Sequence, residues 1–151
     1  MHRLLGPAVA FAAIALSAGS AFSATDHPKD THAGVKANAI GGAIAPNARL
    51  AAVIDPSPSI GVVRSKGVVA VSHTQRGIYC ITPASGINPN NSVPVVSVDY
   101  SGSSNNNVTV QVRTVAANCP AGRFEVITFA DPNSTGAYFT SNLVGFTIVV
   151  P

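Results

Sequence analysis

The sequence predicts an all-β protein, an antiparallel β-sandwich of seven or eight strands rather than a closed barrel. Three observations carry this expectation. Beyond Asn47 the apolar residues recur at every second position, the period of a strand with one buried face. Turn signals built from Gly, Pro, Asn and Ser arrive about every ten residues. No stretch holds the apolar period of a helix, and only 84–92 has the composition for a helical turn.

The first strand, RLAAVID at 49–55, ends at PSPS, whose two prolines cannot donate to a ladder. IGVVRS and GVVAVSHT follow, parted by Lys66 and Gly67, and GIYCIT at 77–82 is closed by Pro83. After the polar loop PASGINPNNS comes VPVVSVDY, with Val96, Val98 and Tyr100 on one face and Val95, Ser97 and Asp99 on the other. SGSSNNN turns the chain into VTVQVRTV, where Val108, Val110 and Val112 point inward and Thr109, Gln111 and Arg113 outward. RFEVITFA then sets Phe124, Val126 and Thr128 opposite Glu125, Ile127 and Phe129, and the last strand runs over 143–150. No fixed repeat period appears, which argues against a solenoid or propeller.

At 151 residues the chain is sized for one domain, expected over 48–151. The N-terminal 1–24 has the form of a cleaved secretory signal: His2 and Arg3, an apolar run from Leu4 to Ala18, and a small-residue tail that places cleavage near Ser23 or Ala24. That apolar run is shorter than the ~20 residues a spanning helix needs, so no stable membrane span is expected after cleavage. Residues 25–47 are rich in Gly, Ala, Pro and Asn, without period, and read as a flexible linker. These features predict a secreted or periplasmic protein.

Charge and composition exclude some classes. Loss of Arg3 with the signal lowers the formal charge from +3 by one, and no basic run interleaved with aromatics appears, so nucleic acid is not an expected partner. His27 and His32 lie near Asp26 and Asp30, but on a segment with nothing to order them, and no metal or cofactor is expected. DYSGSSNNN and DPNSTG are oxygen-rich, yet each supplies one carboxylate and neither has the acid spacing of a calcium loop. Asp55 and Asp131 precede prolines and read as turn formers, while Glu125 is placed for a cross-strand ion pair with Arg123 or Arg113.

Two cysteines, Cys80 and Cys119, are the whole thiol inventory. In an exported chain this pair reads as a disulfide. The stretch VSHTQRGIYCITP gathers Ser72, His73, Arg76, Tyr79 and Cys80, and it reads as a β-hairpin whose Gly77 supplies the positive φ of the turn. Alternation sends Ser72 and His73 to opposite faces, so they cannot form the adjacent pair of a hydrolase triad. If Cys80 faces inward, Tyr79 faces the other way. The candidate contact surface is the tip, Thr74, Gln75 and Arg76, with His73 at its base, together with Tyr138 and Phe139 in the loop before the last strand.

GVVRSKGVVAVSHTQRGIYCITP, VPVVSVDY, NCPAGRFEVITF and the closing LVGFTIVVP resemble a group of small exported bacterial proteins of unknown function. In these a G-V-x-x-V-x-H-x-x-x-G-x-Y-C-I hairpin, a second Cys before Pro-x-Gly and a final GFT-V-V-P strand recur. The resemblance covers 49–151 and implies an exported β-domain with Cys80 paired to Cys119. It implies no activity, ligand or catalytic residue.

The expected function is therefore that of a non-enzymatic exported module acting by surface contact with a protein or glycan. One alternative is a hydrolase using His73 with a spatially remote partner. Another is a subunit that assembles through an edge strand.

Overall fold

The computed structural model describes residues 36–38, 41–56, 59–104, 107–113 and 115–151, and the expected signal segment lies outside them. Its strands are β1 (Lys36–Asn38), β2 (Leu50–Asp55), β3 (Gly61–Lys66), β4 (Val68–Gln75), β5 (Ile78–Pro83), β6 (Val95–Asp99), β7 (Val108–Arg113), β8 (Phe124–Ala130), β9 (Phe139–Thr140) and β10 (Gly145–Val150). They form two antiparallel sheets that do not close into a barrel. The first has the order β1-β4-β5-β8-β7 with β9 beside β8, and the second the order β3-β2-β10-β6. A 3-10 turn, Pro89–Asn91, falls inside 84–92 as expected, and Asn88 caps it by accepting from the Asn90 N–H at 3.0 Å. Among the described residues, no helix is long and apolar enough to cross a membrane.

The core lies between the sheets. Leu50, Ile54, Phe146 and Ile148 of the second sheet meet Val71, Tyr79, Ile81, Phe124 and Val126 of the first, all fully buried. β7 follows its sequence pattern: Val110 and Val112 pack against this core, while Gln111 and Arg113 are exposed. In the second sheet Val96 and Val98 turn inward, but Tyr100 lies beyond the end of β6 and is 64% exposed. The strand stops at Asp99 because its carboxylate accepts from the N–H and hydroxyl of Ser101, a local turn that competes with the ladder.

A single residue joins the two sheets between β3 and β4. Gly67 has φ +66°, and a Cβ there would overlap the Arg49 carbonyl oxygen, so only glycine lets the chain leave one sheet and enter the other in one step.

Parts of the segment expected to be a linker, 25–47, are paired with the sheets. Lys36, Ala37 and Asn38 pair with Ser72, Val71 and Ala70 of β4. Ser65 of β3 then accepts from Ala43 and donates to the Gly41 carbonyl, and Lys66 Nζ donates to the Ala45 carbonyl at 2.7 Å. The cause is backbone pairing at otherwise open edges of both sheets, which needs no apolar side-chain period and left none in the sequence.

Candidate functional site

β4 and β5 build the hairpin that the sequence singles out. Ser72 faces Cys80 and His73 faces Tyr79 across the ladder, and the register shifts between His73 and Gln75, where Thr74 bulges. The chain turns at Arg76 and Gly77. Gly77 has φ +66°, and a Cβ there would sit 2.6 Å from the Ser141 nitrogen and 2.7 Å from the Thr128 oxygen. This crowding bolts the tip to the segment leading into β10. The Gly77 N–H donates to Asn142 Oδ1 at 2.6 Å, the Thr128 N–H to the Gly77 carbonyl, and the Ser141 N–H to the Thr128 carbonyl.

The hairpin tip and β9 therefore adjoin each other along β8. Gln75 is exposed and Arg76 half-buried at the tip. Tyr138 and Phe139 are 45% and 52% exposed beside it. Thr74 is half-buried, turned toward the Cys80 sulfur at 3.7 Å.

His73 departs from its expected place at the base of an accessible tip. Its side chain is fully buried between the sheets, stacked on the Tyr79 ring at a centroid distance of 4.8 Å, and Tyr79 in turn contacts Phe146 at 5.2 Å. The reason lies in strand parity. His73 shares its face with Val71, and Tyr79 shares its face with Ile81, so all four point into the core. That parity was the available signal. An imidazole sealed in this way offers no surface to a partner or a substrate, so His73 does not join the exposed tip as expected.

The same parity reverses the orientation considered for Cys80. Tyr79 faces the core, and Cys80 points to the other side of the sheet, where residues 115–123 fold back over it. Cys80 and Cys119 form a disulfide with a Cα–Cα distance of 5.5 Å. Beside it, the fully buried Glu125 carboxylate accepts from the Ala117 N–H at 2.8 Å, the Asn118 N–H at 2.7 Å, Asn118 Nδ2 at 3.0 Å and Arg113 at 3.3 Å. Burial pushes its pKa up, but the bonds from Asn118 and Ala117 and the Arg113 charge outweigh this and hold it below the ordinary glutamate value. Arg113 is thus the ion-pair partner, while Arg123 donates to the Ser72 hydroxyl at 3.3 Å.

Asp131 is a turn former, as expected. Its buried carboxylate accepts from the Gly136 N–H at 2.6 Å and from Asn107 Nδ2 at 3.1 Å. Burial raises its pKa, and the N–H groups of Thr135, Gly136 and Asn133 outweigh burial and lower it. Asn107 in turn accepts the Tyr138 hydroxyl proton at 2.7 Å. This chain of bonds was invisible in the sequence, where Asn107 lies in the turn before β7 and Asp131 and Tyr138 at the two ends of the loop between β8 and β9.

Asp55 and Asp99 also converge, since a Cβ on Gly102 would lie 3.7 Å from the Asp55 carboxyl carbon and 3.6 Å from Asp99 Oδ2. Asp55 lines a small polar cavity of about 190 Å³ with the serines of residues 101–104. Among the described residues no group of three or more His, Cys, Asp or Glu could hold a metal ion. Ile44, Ala51, Val53 and Val149 line an apolar groove on the outer face of the second sheet, with a volume of about 490 Å³.

No protein-family model, curated protein or solved structure matches the chain. Its own residues therefore carry the functional argument.

Proposed function

We propose that this chain is an exported, disulfide-braced β-sandwich that acts by surface contact, through the end where the β4–β5 tip meets β9. The observation that carries this reading is the bonding of Gly77 to Asn142 and Thr128, which fixes Gln75 and Arg76 beside the exposed Tyr138 and Phe139. A contact surface held in one geometry gives up little conformational entropy on binding. Burial of His73 supports the same choice, because it takes away the one side chain on which a hydrolytic reading rested. Export is supported by the signal-like residues 1–24 and by the disulfide, which persists in oxidising compartments.

Capture from envelope and medium fractions of the source organism tests this reading. The chain lacking residues 1–24 should retain a partner that is lost from both a Gln75→Ala/Arg76→Glu variant and a Tyr138→Ala/Phe139→Ala variant. Equal retention by both variants, with unchanged thermal unfolding, overturns it.

A further inference from the structure

The side chain of Tyr138 spans a strand. At the end of the first sheet, Val108 pairs with Ala130 and Ala130 with Phe139, so β7, β8 and β9 lie side by side there. One residue further along, the Asp131 N–H donates to the Asn107 carbonyl, and Tyr138 occupies the corresponding place beside β9. Adjacent strands lie about 4.8 Å apart, so β9 and β7 are separated by roughly twice that distance. The Tyr138 hydroxyl nonetheless reaches Asn107 Oδ1 at 2.7 Å. A tyrosine bonded across an intervening strand must lie along the sheet rather than stand up from it. The long axis of the side chain is thereby laid across the end of β8, and the residue remains 45% exposed.

The ring is locked in that attitude. Asn107 cannot turn its amide over, because Nδ2 donates to Asp131 while Oδ1 accepts from Tyr138. Asp131 is itself pinned by the Gly136 N–H. The hydroxyl proton of Tyr138 is spent on Asn107, which leaves the phenol oxygen able to accept from a ligand. The turn between Asp131 and Tyr138 carries the exposed Asn133, Ser134 and Thr135. Ser134 holds φ at +53°, the one positive value among described non-glycine residues, so the rim of the platform keeps a conformation that costs energy. From Asp131 to Phe139 the sole ionisable group besides the phenol is the Asp131 carboxylate, which is buried and bonded.

We infer that Tyr138 is a stacking platform for a neutral saccharide, with Asn107, Ser134 and Thr135 as the polar rim that meets its hydroxyl groups. An exposed aromatic ring tethered at its hydroxyl, with an amide and hydroxyl side chains in its own turn, matches the alternation of apolar C–H faces and hydroxyl edges on a sugar ring. The absence of any charged side chain from the exposed segment 132–139 disfavours phosphate, nucleic acid and strongly charged peptides at this ring. This inference rests on the contact reading and assigns a ligand class to one part of that surface.

Its test is titration of the chain lacking residues 1–24 with three neutral hexasaccharides: β-1,4-linked glucose, β-1,4-linked N-acetylglucosamine and α-1,4-linked glucose. At least one should bind with a Kd at or below the millimolar range. Tyr138→Ala should weaken that binding tenfold or more. Tyr138→Phe, which keeps the ring but loses its tie to Asn107, should weaken it a few-fold, and Arg64→Glu, on the exposed face of β3 in the other sheet, should leave it unchanged. Absence of binding by all three probes at millimolar concentration overturns the inference, as does binding that Tyr138→Ala does not alter. A protein captured through Gln75 and Arg76 in the preceding experiment, with no saccharide bound here, would leave the contact reading standing and sink the platform alone.

Discussion

Asn118 donates both its backbone N–H and its side-chain Nδ2 to the Glu125 carboxylate, at 2.7 and 3.0 Å. One buried anion on β8 thereby organises the segment that carries Cys119. Glu125→Gln keeps the shape but replaces an acceptor oxygen with a donor facing other donors. Loss of charge-assisted bonds and an unsatisfied buried group should cost about 2–3 kcal/mol, read as a lower urea midpoint at unchanged m-value.

Stability should depend on pH through the same group. Glu125 and Asp131 both have folded-state pKa values below their ordinary ones, for the competing causes given above. The unfolded chain therefore takes up protons first as pH falls. The stabilisation is present above the unfolded values, near 4, and is lost as pH falls through the folded ones. Urea midpoints should be flat from about pH 7 to 5 and drop below about 4. Glu125→Gln should flatten that drop, and an identical slope in the variant would contradict this account.

Reduction should act on the segment over the outer face. The disulfide links positions 39 apart and should contribute roughly 4 kcal/mol in the loop-entropy model. Oxidised protein should be two hydrogens lighter than reduced protein by intact mass. After reduction, faster hydrogen exchange at the Ala117 and Asn118 amides than in β2 or β10 would confirm that the disulfide holds that segment.

Gly77→Ala places a methyl group against the Ser141 nitrogen and the Thr128 oxygen in a left-handed conformation. Backbone neighbours cannot swing aside, so the loss should reach at least about 2 kcal/mol. Gln75→Ala, two residues away on the exposed tip, should stay within about 0.5 kcal/mol.

Limited proteolysis checks the N-terminal boundary. Because β1 pairs with β4, trimming should stop ahead of Lys36 rather than near Asn47. A stable product beginning at residue 48 would show that this pairing adds no protection.

How much of this was legible depended on what each strand buries. β7 and β10 have one buried face or a run of apolar residues, and the sequence showed them directly. β8 is buried on both faces, between the opposite sheet and residues 115–123, so its polar Glu125 resembled a surface position. β1 and β9 are held by backbone pairing over three and two residues, too short for any period to register. His73 was misplaced because its polarity outweighed its parity with Val71. The Asn107, Asp131 and Tyr138 chain needed tertiary geometry, since nothing local relates a residue before β7 to one before β9.

The ladder sets Cys80 opposite Glu125, and Glu125 holds the two residues that precede Cys119. A slip of β5 by one residue would turn the Cys80 thiol into the core, away from its partner, and leave the carboxylate beside the wrong neighbour. In the folded chain the disulfide and the Glu125 bonds therefore demand one and the same register of β5 on β8. Once closed, the covalent bond holds that register against later slippage, because a slipped β5 could not keep Cys80 within reach of Cys119.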